Sequence, residues 1–236
     1  MKPFALASLL LLTAPALPAH DLTIYTTDYP PLSMVSDNHP SGGIGYDLLQ
    51  HAARISGVSV DIRSNLPWKR AQQTAQNKAN SCAFPLTRAP EREALFRWVG
   101  LLHRGELGLF ALNDTPAPST LAGASRLRIV AMLGTTAENR FKEHKLPYST
   151  THTPADSLLM LQDRAVDLWA VHDVVARYYS QQQHITIRQV LPLARADSWL
   201  GCNRATAPLP ANKLAAALAQ LQQNGEARRI VRHYLP

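Results

Sequence analysis

The chain has 236 residues, and its 24 Lys and Arg outnumber 17 Asp and Glu, for a formal charge of +7. The basic residues are scattered singly and in pairs, with no aromatic stripe among them, which excludes a nucleic-acid-binding face and leaves a mild bias toward anionic ligands. There is no charged tail, internal repeat or low-complexity segment, and the nine histidines show no metal-ligand spacing.

In chain order, Met1-Lys2 is followed by an apolar run from Phe4 to Leu17 and then Pro18-Ala19. One positive charge, an apolar core and a small residue before polar sequence describe a secretory signal peptide. Cleavage is expected after Ala19, or else after Ala16. The run is too short to span ~30 Å of hydrocarbon. An exported, periplasmic protein follows, and losing Lys2 takes the charge from +7 to +6.

Leu22 to Thr27 alternates apolar and polar residues and reads as a first strand. Asp28-Tyr29-Pro30-Pro31 ends it, and the two prolines hold a loop open. Tyr46 to Gly57 is a helix closed by glycine, and Val58 to Ile62 is a second strand. A helix with proline in its first turn runs from Leu66 to about Lys78. Ser81 to Leu86 is a third strand, leading into Thr87-Arg88-Ala89-Pro90-Glu91-Arg92. Phe96 to Gly100 and Glu106 to Leu112 are extended, and a Pro/Ser/Thr-rich loop covers Thr115 to Thr120.

The pattern then restarts. Arg126 to Leu133 is a buried-type strand, Gly134-Thr135-Thr136 a tight turn and Ala137 to Lys142 a helix. Thr153 to Asp163 is helical, Ala165 to Val171 a strand and Val174 to Gln182 a helix. Ile185 to Leu193 and Trp199 to Thr206 are extended, and two helices close the chain, separated by Gly225. Strands alternating with helices imply an α/β fold, and the repeated theme implies two lobes with a cleft at the strand carboxyl ends.

Three features fall at such strand ends. Arg92, five residues after Thr87, can offer a planar fork of donors to a carboxylate; alternatively it is a solvated loop arginine. Gly134-Thr135-Thr136 offers backbone N–H groups, hydroxyls and a helix dipole to an anion, unless a threonine simply caps its own helix. His172-Asp173 follows the last lobe 2 strand; Asp173 could pair a ligand ammonium or cap the helix from Val174. Tyr29 and Trp68 are candidate aromatic walls, whereas Phe96, Trp98 and Trp169 lie in strands and read as core. Cys82 and Cys202 form either a disulfide, which an oxidising compartment permits, or a pair of buried thiols. No catalytic motif, metal site or cofactor-binding motif stands out.

Taken together, Asp28 to Leu32, Gly45-Tyr46-Asp47-Leu48, Thr87 to Arg92 with Phe96, Gly134-Thr135-Thr136, Val166 to Trp169 and Leu221 to Leu235 resemble one family. It is the bacterial extracellular solute-binding proteins of family 3, the periplasmic polar amino-acid-binding type. The resemblance implies a two-lobed periplasmic binding protein type II fold with two crossing strands as hinge. It would place residues 20–103 and 198–236 in lobe 1 and 104–197 in lobe 2, after a signal peptide over 1–19. It also implies that Arg92 clamps a ligand carboxylate, aided by Thr87, Thr135 and Thr136, with Tyr29 as aromatic wall. The return strand would lie beside the strand leading to Arg92, which makes a Cys82–Cys202 disulfide plausible.

Two departures matter, and one is that the turn Asn77-Lys78-Ala79-Asn80 before the third strand lacks the family's usual Gly-x-x-Asp. The family usually has an aspartate five residues after the Asp of the lobe 2 strand; here His172 holds that place and the acid is one later, at Asp173. The expected function is capture of a small carboxylate-bearing molecule, an amino acid or derivative, by a monomer serving an inner-membrane permease or sensor. The enzyme alternative is a cyclohexadienyl-dehydratase-like relative, with His172 or Glu138 as its general acid.

Overall fold

The computed structural model describes residues 20–235, so the segment read as a signal peptide lies outside the described residues. The first sheet has the order β4-β1-β5-β12-β6, with β1 Leu22–Tyr25, β4 Val60–Arg63, β5 Ser81–Thr87, β6 Arg97–His103 and β12 Ser198–Cys202. β1, β4 and β5 run parallel, and β12 is inserted antiparallel between β5 and β6. Helices α1 (Ile44–Ser56), α2 (Trp68–Asn77), α6 (Pro208–Gln223) and α7 (Glu226–Tyr234) belong with this sheet. The central strand β5 is buried at every position but Pro85, whereas the edge strand β4 carries Asp61 and Arg63 and buries none of its residues fully.

The second sheet has the order β11-β7-β10-β8-β9, with β7 Glu106–Leu112, β8 Ile129–Met132, β9 Ser149–Thr151, β10 Leu168–His172 and β11 Ile187–Arg195. It packs with α3 (Thr136–Glu143), α4 (Pro154–Gln162) and α5 (Asp173–Gln182). Trp169, Phe84 and Phe141 are among the largest fully buried side chains. Trp98, read as core, is instead half-buried, and the Arg88 guanidinium stacks on both Trp98 and Trp199.

Two crossings join the lobes, between β6 and β7 and between β11 and β12. They are tied to each other by the Ala196 N–H to Gly105 carbonyl bond at 2.8 Å. Cys82 and Cys202 face each other across β5 and β12 and form a disulfide with a sequence separation of 120. The loop it closes contains the whole of the second sheet, so lobe 1 is covalently sealed where the chain returns to it.

The stretch after the first strand departs from the open loop expected of Pro30-Pro31. β2 (Met34–Ser36) and β3 (His39–Gly42) form a small hairpin. Its turn is Asp37-Asn38, both with positive φ, at 49° and 62°, a conformation these two residue types tolerate.

Candidate functional site

The site is built at the carboxyl ends of strands from both sheets. Lobe 1 supplies Thr27 and Tyr29 after β1, Trp68 at the start of α2, and Pro85 and Thr87 of β5. It also supplies Arg92 from a single 3-10 turn over Pro90–Arg92. Lobe 2 supplies Thr135 and Thr136 at the start of α3 and His172 at the end of β10. Seven of the eight residues singled out from sequence therefore meet in one cleft. Asp173 does not: its carboxylate accepts the Glu106 N–H at 3.0 Å beside the crossing. It is the first residue of α5 rather than a side-chain cap.

Arg92 is buried, with 6% of its surface exposed, and burial pulls its pKa down to about 10, an effect that nearby Glu91 partly offsets. It is therefore still a cation at neutral pH. Its guanidinium donates to the Thr87 carbonyl at 3.4 Å and, across the cleft, to the Gly134 carbonyl at 2.9 Å. No acidic group among the described residues lies within ion-pair distance of it. A buried cation that only neutral carbonyls solvate is primed for an anionic partner. Arg88, four residues earlier, is by contrast satisfied by Glu93 in a two-pronged pair at 2.9 and 2.5 Å.

His172 is buried against both lobes. Its Nδ1 lies 2.8 Å from the Tyr29 hydroxyl and its Nε2 3.0 Å from the Thr87 hydroxyl. Burial pushes its pKa down to about 4; Asp173 opposes the shift, while His103 and Arg92 add to it. The imidazole is thus neutral. The Tyr29 hydroxyl is pushed above its ordinary value by burial, so it stays protonated.

The lobe 2 loop is largely self-satisfied. The Gly134 N–H, expected to greet an anion, donates to the Glu138 carboxylate at 2.6 Å, and Glu138 pairs with Lys142 at 2.5 Å. The Thr135 hydroxyl donates to the Met132 carbonyl at 2.7 Å and caps α3 by accepting the Glu138 N–H at 3.5 Å. The capping alternative is what Thr135 does. The Thr136 hydroxyl, in contrast, is buried on the cleft wall with no partner.

Sequence reasoning missed Gln72 and Gly134 as a matched pair. Gln72 donates to the Gly134 carbonyl at 2.9 Å, reaching from α2 across to lobe 2. Its signal was its place four residues after Trp68, on the same helix face. Gly134 has φ +81°, and a Cβ there would sit 3.1 Å from Gln72 Nε2 and 3.3 Å from Lys69 Cβ. Only glycine suits both the backbone and the close approach. These contacts draw the lobes together so far that the cleft retains about 10 Å³, room for about one water. Ligand entry therefore requires the lobes to part. A second cavity of about 110 Å³ shares Thr87 and Thr136 with the cleft.

The description "Bacterial extracellular solute-binding proteins, family 3" matches residues 22–236. The chain belongs to this family. No curated protein matches it in sequence. Its fold is similar to that of a histidine kinase sensor domain with similarity to periplasmic binding proteins, with TM-score 0.79 and 20% identity over 92% of this chain and 96% of that one. It is also similar to the GluR0 ligand-binding core from Nostoc punctiforme in complex with (L)-glutamate, with TM-score 0.79 and 16% identity over 91% and 99% of the two chains. An arginine transport system periplasmic binding protein from Legionella pneumophila superposes with TM-score 0.75 and 16% identity, covering 92% and 100%. At these identities the likeness is one of fold, the two-lobed periplasmic binding protein type II fold that the family resemblance implied.

Proposed function

We propose that this solute-binding protein captures a small carboxylate-bearing molecule, an amino acid or a derivative of one, between its lobes. The observation that carries the reading is Arg92, a buried cation with no acidic partner at the meeting point of both lobes, beside the hydroxyls of Thr87 and Thr136. A ligand carboxylate would take the fork now spent on carbonyls, with Tyr29 and Trp68 as walls. The ligands of fold neighbours, glutamate and arginine, favour the same class.

In this reading the protein is exported to the periplasm after signal-peptide removal, acts as a monomer and delivers its ligand to an inner-membrane permease of the ABC type. A sensor partner is the second reading, favoured by the sensor-domain neighbour. Turnover is not part of it. Burial pushes the Glu138 carboxyl up, but Lys142, the Gly134 N–H and Lys69 outweigh that and hold it below its ordinary value. With Glu138 ionised and His172 neutral, neither candidate acid of the dehydratase alternative carries a proton to give readily.

The test is calorimetric titration against amino acids and small organic acids. Arg92→Ala is expected to weaken the best ligand at least about 30-fold, from the cost of removing one member of a buried charged pair. Unchanged affinity would overturn the site.

A further inference from the structure

We propose that the ligand is a 2-oxo or 2-hydroxy acid, a carboxylate whose neighbouring carbon bears oxygen and no ammonium group. This rests on the carboxylate reading above and narrows it.

The cleft wall carries a single formal charge, that of Arg92. Everything else on it is a hydroxyl, an aromatic ring, a proline or His172. A bound carboxylate brings the enclosed charge to zero. A zwitterionic amino acid would leave its ammonium buried near Arg92 with no counter-ion, the arrangement that costs most in a closed, dry site.

Among the described residues Glu91, next to Arg92, and Glu143 are unpaired, but both are exposed and lie outside the cleft lining, and the other nearby acids are committed. Asp28 accepts the Val35 N–H at 3.0 Å, Asp173 the Glu106 N–H at 3.0 Å, and Glu138 holds the Gly134 N–H and Lys142. His172, at the base of the cleft, cannot stand in for them. Both its nitrogens already meet hydroxyls, and a protonated ring would repel an ammonium rather than hold it.

An α-oxygen, by contrast, finds suitable partners. Thr136 lines the cleft with 8% of its surface exposed, and its buried hydroxyl has no hydrogen-bond partner. Of the two hydroxyls bonded to His172, the one that accepts the ring N–H can still donate and the one that donates to the bare nitrogen can still accept, so between them they serve a keto oxygen or a hydroxyl. A buried hydroxyl without a partner, on a wall whose polar groups other than Arg92 are neutral, suits a neutral oxygen substituent.

The experiment titrates the protein, freed of carried-over ligand by unfolding and refolding, with the common α-amino acids. Each is tested beside its 2-hydroxy and 2-oxo counterpart, so that side chain is held constant while the α-group changes. In every set that binds, the oxo or hydroxy member is expected to bind at least tenfold more tightly than the amino acid. His172→Asp should reverse that order, and His172→Asn should keep it. An amino acid that binds the wild type within tenfold of its counterparts, or better, overturns the proposal even if His172→Asp fails to fold. If no member of any set binds, the carboxylate reading itself falls and takes this proposal with it. Binding with the opposite order removes only the proposal.

Discussion

The two walls of the cleft sit at equivalent places, each just past the carboxyl end of a strand, yet they are finished differently. On lobe 1, the turn after β5 leaves the Arg92 cation without an acid, solvated only by the carbonyls of Thr87 and Gly134. On lobe 2, the turn after β8 satisfies itself: Glu138 takes the Gly134 N–H, and Thr135 caps its own helix. Only the Thr136 hydroxyl is left over. The difference teaches that a strand-end loop of the right sequence is not by itself an anion site. What counts is whether the protein's own groups have already filled it. Under the proposed function, lobe 1 would supply charge recognition, and lobe 2 closure and one spare hydroxyl.

The most severe way to break this comparison is Arg92→Ala, which should lower carboxylate affinity by about 2–5 kcal/mol in calorimetry. Unliganded stability should stay within about 1 kcal/mol in denaturant titration, because Gln72 keeps the Gly134 carbonyl bonded. The strand that presents the arginine is pinned by the Cys82–Cys202 bond, which lobe 2 lacks an equivalent of among the described residues. Reducing that bond, or replacing both cysteines by serine, should cost about 2–5 kcal/mol of unfolding free energy.

Acidification tests the junction of the two walls. The closed, folded state holds His172 near pKa 4 against an ordinary 6.5, so the open or unfolded state binds the proton more readily. Stability from this group is complete above pH 6.5 and falls as pH drops toward 4, by up to about 3 kcal/mol. Comparing wild type with His172→Asn across that window isolates the effect from titrating carboxylates, and parallel pH profiles would contradict it. The smallest effects should split the adjacent threonines. Thr135→Ala should cost about 1 kcal/mol of stability through the lost cap and leave affinity nearly unchanged. Thr136→Val should reduce affinity several-fold with no loss of stability, since it removes an orphaned hydroxyl.

Much of this was legible in the chain. The apolar strands ending at Thr87 and at Gly134, each followed by a turn, put Arg92 and Thr135-Thr136 at strand ends through periodicity alone. Other features were not legible, for stated reasons. Whether His172 or Asp173 faces the cleft turns on where β10 ends, a shift of one residue that swaps faces. The hairpin over Met34 to Gly42 was hidden by the weak strand character of His39-Pro40-Ser41, although Asp37-Asn38 is a turn pair. Thr135 and Glu138 have the spacing of a capping box and were legible as a helix start, but the Glu138 carboxylate takes the N–H of Gly134, one residue before the cap. Gln72 shares a helix face with Trp68, but its bond to Gly134 arises from the packing of one lobe on the other, which no local pattern encodes.

The most direct test of the account is a crystal structure with the tightest-binding small carboxylate. The carboxylate is expected on the Arg92 guanidinium, with the Thr136 hydroxyl bonded to the ligand and the Arg92 to Gly134 bond replaced. A ligand seated elsewhere, with Arg92 still bonded to the Gly134 carbonyl and untouched by it, would contradict it.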